Sequence, residues 1–256
     1  MKESFSFLVV FGILAILIVS GCTQQPTAQQ TPAQQTPAGQ PTVGQPAVKL
    51  SAGNYLVDSK GNTLYLFAND VTGDSKCTGG CLNIWPIFYQ EKISVSSGLN
   101  SSDFGTITRG DGTKQTTYKG WPLYYFSSDV NPGDTKGEGV NKAWFIAKPY
   151  TVFIANKDNL TFIVDARGST LYKFTKDTPG VSNCKGACLK TWPVFYTDNI
   201  VAPSIMNTSD FGVITNSEGS KQTTYKEMPL YYFANDTKRG DTNGQGIINS
   251  WFVVQP

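Results

Sequence analysis

From Leu56 onward the chain can be laid over itself without a gap, with Leu56-Val57-Asp58 on Ile163-Val164-Asp165 at an offset of 107 residues. In that register Cys77 falls on Cys184, Cys81 on Cys188, Trp85-Pro86 on Trp192-Pro193, and Ser102–Gly105 on Ser209–Gly212. KQTTYK at Lys114 recurs at Lys221, PLYYF at Pro122 recurs at Pro229, and Trp144-Phe145 recurs at Trp251-Phe252. Such a duplication restricts the chain to architectures that serve both copies. A fainter echo lies inside each copy at an offset of 59. Tyr65-x-Phe67-x-x-Asp70 is answered by Tyr124-x-Phe126-x-x-Asp129, Trp85 by Trp144, and Tyr172-x-Phe174-x-x-Asp177 by Tyr231-x-Phe233-x-x-Asp236. Four related units therefore follow one another, and units of this size commonly complete one another's cores.

Within a unit the pattern is β. NYLVDSKGNTLYLF alternates around a Lys60-Gly61 turn, TTYKGWPLYYF does so around Lys119-Gly120, and FGTITRGDGTKQTTY carries Gly110-Asp111-Gly112 at its tip. WPIFYQ and AWFIA read as single closing strands, and CTGGCLNIW has room for one helical turn. About seven or eight strands per copy predict an all-β fold of tandem β-hairpin repeats. The expected arrangement is a propeller-like ring of four units, with two packed β-sandwich or barrel domains as the alternative. The first repeat is bounded at residues 50–149 and the second at 150–256.

The N-terminus reads differently. Residues 1–21 run almost without polar side chains from Phe5 to Val19 and end in Val19-Ser20-Gly21, directly before Cys22, the pattern of an export signal. Small residues before a cysteine resemble the lipobox of prokaryotic lipoproteins, and on that resemblance Cys22 is the lipidation site. An uncleaved membrane helix, a little shorter than the roughly 20 residues a span prefers, is the alternative. Either way the body lies outside the cytoplasmic membrane. Residues 22–49 are nearly all Gln, Pro, Thr, Ala and Gly, with no charge before Lys49. A stretch so poor in apolar surface predicts a disordered tether.

Several function classes fall away on composition. The chain of 256 residues has no histidine, which removes Ser-His and Cys-His nucleophile pairs and the usual zinc, copper and haem ligation. Lys+Arg number 21 against 19 Asp+Glu, and the charges are scattered, so no nucleic-acid partner is expected. No catalytic centre and no cofactor are expected either.

The fourfold Tyr-x-(Phe/Trp/Tyr)-x-x-Asp motif, the cysteine loop before Trp-Pro, the PLYYF segments and the Gly-Asp-Thr-x-Gly-x-Gly segments together resemble a family of secreted-repeat lipoproteins known by that motif. The likeness covers about Asn54 to Pro256 and implies location and architecture, without an activity. Physically, Tyr and Phe two apart share one face of a strand and Asp three later can cap a turn. The motif is expected to be a packing face with its cap, or an exposed aromatic binding platform.

In an oxidising compartment Cys77/Cys81 and Cys184/Cys188 are expected to form structural disulfides; a four-thiolate metal site or a redox couple is the sharper alternative. Asp134, Glu138, Asp241 and Asn243 sit in glycine-rich loops, where solvated turns are favoured over calcium binding. Asn100, Asn159, Asn207 and Asn235 each begin Asn-x-Ser/Thr and are candidate glycan acceptors. The expected role is binding, adhesion or envelope organisation, with the membrane reached through the lipid anchor and an envelope protein or glycan as partner. A redox accessory using the cysteine loops or a cation is the rival.

Overall fold

The computed structural model describes residues 45–256. Residues 1–21, read as an export signal, Cys22 and the part of the expected tether up to residue 44 lie outside them. Both copies run through the same strands and α-helix in the same order, and the first adds a short 3-10 turn at Ala68–Asp70. The first has β1 (Val48–Leu50), β2 (Leu56–Asp58), β3 (Tyr65–Phe67), helix α1 (Cys81–Ile84), β4 (Phe104–Thr108), β5 (Lys114–Tyr118), β6 (Trp121–Pro122) and β7 (Trp144–Ile146). The second has β8 (Val152–Lys157), β9 (Leu160–Asp165), β10 (Tyr172–Phe174), helix α2 (Ala187–Thr191), β11 (Phe211–Thr215), β12 (Lys221–Tyr225), β13 (Met228–Pro229) and β14 (Trp251–Val253). Small antiparallel sheets result: β1–β2, β3–β7 and β4–β5–β6, then β8–β9, β10–β14 and β11–β12–β13. The fold is all-β, as expected. β1 begins inside the stretch read as tether, with Val48 fully buried.

Local chemistry explains the tight hairpins. β5 turns into β6 through Lys119 and Gly120, both at positive φ, the two-residue turn whose twist matches that of the flanking strands. β8 turns into β9 through Asp158 and Asn159, residue types that tolerate the left-handed region.

Elsewhere tertiary packing overrides the local pattern. The segments around Lys60-Gly61 share only the Val57–Thr63 bridge, and the turn is held by Asp58, whose Oδ1 accepts the Lys60 and Asn62 N–H groups at 2.9 Å each. β3 then leaves to pair with β7, placing Phe67 opposite Trp144. WPIFYQ forms no strand: Pro86 has no N–H to give a ladder, and Ile87 makes only a lone bridge to Tyr124. AWFIA does form β7, and the cysteine loop does make the short helix.

The β3–β7 pairing decides the architecture. It joins the first half-unit of a copy to the last strand of the second, so the half-units interleave instead of standing as separate blades. Every pairing between named strands stays within one copy, and among the described residues no closed barrel or four-bladed ring is seen. Strands of three residues carry too few ladder bonds to define a blade. The core they share does that work.

The copies meet through β8. Phe153 packs edge-on to Trp121 at 4.8 Å and to Phe145 at 5.8 Å, and the Trp121 indole N–H donates to the Ala166 carbonyl at 3.1 Å. Arg239 crosses from the second copy to the first. Its Nε–H donates to the Val71 carbonyl at 3.1 Å, its Nη1 donates to the Lys119 carbonyl at 2.8 Å and also to that of Arg167, and its guanidinium lies over Trp121 at 4.9 Å. The equivalent residue of the first copy is Pro132, so this link is made once.

Candidate functional site

The four motif copies come together in reciprocal pairs. The Tyr65 hydroxyl donates to Asp129 Oδ2 at 2.5 Å while Tyr124 donates to Asp70 Oδ2 at 2.6 Å; Tyr172 donates to Asp236 at 2.6 Å and Tyr231 to Asp177 at 2.8 Å. Each half-unit thus supplies the phenol for its neighbour's carboxylate. The backbones do the same, with Tyr65 and Tyr124 exchanging N–H···O bonds of 2.8 and 3.1 Å, and Tyr172 and Tyr231 of 2.8 and 3.0 Å. The other oxygen of every motif aspartate accepts a backbone N–H from its own loop: Asp70 from Lys76, Asp129 from Lys136, Asp177 from Asn183 and Asp236 from Asn243. The aspartate is therefore a turn cap and a cross-unit acceptor together.

Indole and phenyl rings stack between the paired motifs. In the first copy Phe67, Trp144, Trp85 and Phe126 stack in that order at centroid distances of 4.1, 3.8 and 4.4 Å, with the two indoles parallel within 1°. Phe174, Trp251, Trp192 and Phe233 repeat this at 4.3, 3.8 and 4.4 Å. All four motif tyrosines and all four of these tryptophans are buried, while Phe67 and Phe126 are half-buried. The motif is a packing face, and the rings offer no open platform. Stacked pairs of this kind contribute about 0.5–1.5 kcal/mol each beyond their area burial.

The glycine-rich loops close over this centre. Gly137 donates its N–H to the Tyr65 hydroxyl at 3.2 Å, and a Cβ there would lie 2.7 Å from the Tyr65 ring and 2.9 Å from Trp85. Gly244 stands over Tyr172 and Trp192 in the same way. Asp134 and Asp241 cap their own loops, while Glu138 reaches β7 with one oxygen and has its other, Oε1, buried without a hydrogen-bond partner among the described residues. Asp134 accepts Val130 and Asn131 N–H and the Lys136 ammonium, Asp241 accepts Thr237 and Lys238 N–H, and Glu138 Oε2 accepts Ile146 N–H at 2.6 Å.

Burial dominates the electrostatics. Asp70 is fully buried, which raises its pKa to about 7, while the Tyr124 hydroxyl, the Lys76 N–H and the charge of Arg109 pull the other way. Asp177 and Asp236 are also raised, chiefly by burial, and the four motif phenols are pushed up for the same reason.

Beside Arg239, a further difference separates the copies. In the first, buried Arg109 donates to Gln115 Oε1 at 2.7 Å, to the Cys77 carbonyl at 2.7 Å and to the Ser75 hydroxyl, which contacts Tyr124. In the second, the equivalent residue is Asn216. Ser182, Cys184 and Gln222 keep their places, but Gln222 Oε1 and Asn216 Nδ2 are buried with no hydrogen-bond partner among the described residues.

Cys77–Cys81 and Cys184–Cys188 are disulfides, each with Cα atoms 5.4 Å apart, and Cys77 and Cys184 are buried. Asn100, Asn159, Asn207 and Asn235 are all exposed; Asn100 and Asn207 also cap short helical turns by accepting the Ser102 and Ser209 N–H. Sequence reasoning missed Arg109, Asn216 and Arg239, because the two copies differ there and attention to identities passes over differences. It registered the Trp85/Trp144 echo without its stacking; the offset of 59 that these residues share with the motif was the available signal.

β4 and β11 present a further surface. Lys119 N–H donates to the Asp103 carbonyl and Arg109 N–H to that of Thr113, which sets the phase of the ladder. Gly105 and Ile107 then direct their polar groups at β5, while those of Thr106 and Thr108 point outward and have no partner among the described residues; Phe104, at the start of the strand, donates its N–H to the Ser101 carbonyl. β11 repeats the pattern, with Val213 and Thr215 outward and Phe211 N–H bonded to the Thr208 carbonyl. Neither strand carries a charge or a proline, and Val213 is 51% exposed.

No curated protein and no solved structure matches the chain. A family model described as a secreted repeat of unknown function matches four times, at residues 47–88, 105–148, 154–196 and 212–255. These matches reproduce the four units, two per copy, that the reciprocal motifs join, and the chain belongs to this family of secreted repeats.

Proposed function

We propose that this extracellular repeat protein is a membrane-tethered binding module, held by a lipidated Cys22, whose edge strands β4 and β11 each accept an extended peptide of an envelope protein as an added strand. The carrying observation is the pair of uncharged edges with unpaired outward N–H and C=O groups, one in each copy. Edges that must stay unpaired are usually blunted with lysine, proline or a bulge, and strand addition is a common route of peptide recognition. The motif aromatics are committed to the core, which leaves recognition to the surface. Val19-Ser20-Gly21-Cys22 supports the anchor. The reading assigns the chain no catalysis and no cofactor.

A photo-crosslinking side chain at Thr108 or Thr215, exposed on the same strands, in cells making the full chain, tests the edges. Discrete crosslinks to one envelope protein are expected, and Thr106→Pro with Val213→Pro, which removes outward donors, should abolish them. An unchanged crosslink pattern in the proline variant sinks the reading. Cys22→Ala should release the protein from the membrane fraction.

A further inference from the structure

Each copy holds a continuous array of oxidisable rings that ends on a phenol at both sides. In the first, Tyr65 meets Trp85 edge-on at 5.4 Å, Trp85 stacks on Trp144 at 3.8 Å, and Trp144 meets Tyr124 edge-on at 5.0 Å. In the second, Tyr172, Trp192, Trp251 and Tyr231 follow at 5.4, 3.8 and 5.1 Å. Every terminal phenol donates its proton to a carboxylate, at 2.5 to 2.8 Å. One-electron oxidation turns a phenol into a strong acid, so the electron leaves readily only when a base is already hydrogen-bonded to take the proton. Parallel indoles 3.8 Å apart share a positive hole between them. Fastening the half-units together would need neither property, since a tyrosine donating to a backbone carbonyl would serve without burying a carboxylate.

We infer that each Tyr–Trp–Trp–Tyr array is a one-electron relay that carries an oxidising equivalent from the indole pair to a carboxylate-bound tyrosine. The oxidant is of the radical or high-potential metal-complex class, as an extracellular protein meets. It takes one electron from the indole pair and is itself reduced by one, leaving an indole radical cation. That cation takes an electron from the tyrosine; the phenolic O–H bond breaks, its proton passes to the aspartate, and a neutral tyrosyl radical beside a carboxylic acid results. A one-electron reductant restores the phenol, and the aspartate returns the proton. Burial of Asp70, Asp177 and Asp236 raises their proton affinity and so favours the transfer. This inference does not rest on the edge-strand reading.

Flash-generated ruthenium(III) tris-bipyridine is a suitable oxidant for the purified protein, with transient absorption and electron paramagnetic resonance as readouts. Decay of the tryptophanyl radical should match the rise of a tyrosyl radical. Asp129→Asn with Asp236→Asn keeps the rings in place and removes the charged proton acceptors of Tyr65 and Tyr172; the tyrosyl rise from those two should slow about tenfold, the rate equivalent of losing a charge-assisted hydrogen bond. Pairing Tyr→Phe with Asp→Asn at all four motifs avoids leaving a carboxylate unpartnered, and should leave a long-lived tryptophanyl radical. If this last variant folds, by its thermal transition, and forms tyrosyl radical as fast as the parent, surface tyrosines are responsible and the inference is overturned. Asp→Asn at all four motifs, which also removes the acceptors of Tyr124 and Tyr231, should slow the whole tyrosyl rise by the same factor, and equal rates in the parent and this variant overturn the inference as well.

Discussion

Asp70 gives this fold a pH dependence opposite to ordinary acid unfolding. Its carboxylate is fully buried, accepts the Tyr124 hydroxyl and the Lys76 N–H, and faces the charges of Arg109 and Lys76. Those partners do not cancel the loss of hydration, and the pKa rises from 3.8 to about 7 in the fold. A group that holds its proton more tightly when folded stabilises the fold most below its unfolded pKa, and that stability is lost as pH rises through the folded pKa. A displacement from 3.8 to about 7 corresponds to about 4 kcal/mol, spent across the interval from about pH 4 to pH 7. Asp70→Asn removes the titration, while its amide can still accept from Lys76 N–H and donate to the Tyr124 oxygen. Urea unfolding followed by tryptophan fluorescence from pH 4 to pH 8 gives both curves. The stability of the parent minus that of Asp70→Asn should fall by about 4 kcal/mol over that range. Asp177 and Asp236 slope the same way but survive in the variant, so the difference isolates Asp70. Asp111 and Asp134, held low by their hydrogen bonds, lose their stabilisation only at more acidic pH. Parallel curves for the two proteins would refute the reasoning.

Trp144→Ala should cost about 3–5 kcal/mol in chemical unfolding and about halve the indole exciton signature in circular dichroism, since the Trp192–Trp251 pair remains. Asn216→Arg, which restores to the second copy the guanidinium that serves Gln115 in the first, should stabilise by about 1 kcal/mol by giving Gln222 Oε1 a donor; a loss of stability would mean that the second copy has repacked around the shorter side chain. Gly120→Ala should lower the melting temperature through about 1–3 kcal/mol, because φ there is +81° and the new Cβ would sit 2.6 Å from Arg239 Nη1, whereas Gly110→Ala, with nothing within 4 Å, should leave it unchanged.

Much of this protein was legible in its residues. The offset of 107 established two equivalent copies and the offset of 59 their half-units, because identities at a fixed spacing need no knowledge of packing. The β class, the Lys119-Gly120 and Gly110-Asp111-Gly112 hairpins and the disulfides followed from local chemistry, which acts over a few residues and is written there. The same local signals misplaced the strand at WPIFYQ and the partner of β3.

What tertiary structure alone decided is who meets whom. Tyr65 lies 64 residues from the aspartate it bonds, and β3 pairs with a strand beyond the second motif. No spacing rule reaches that far, since such pairs are selected by how well buried rings and hydrogen-bonding groups satisfy one another across units. The four motifs therefore looked like four similar hairpin faces in the sequence, and the fold makes them two reciprocal pairs. Arg239 shows the remainder: its sequence context is an ordinary exposed loop, and only the carbonyls of Val71, Lys119 and Arg167, brought together by the packing of one copy on the other, make it the clamp between them.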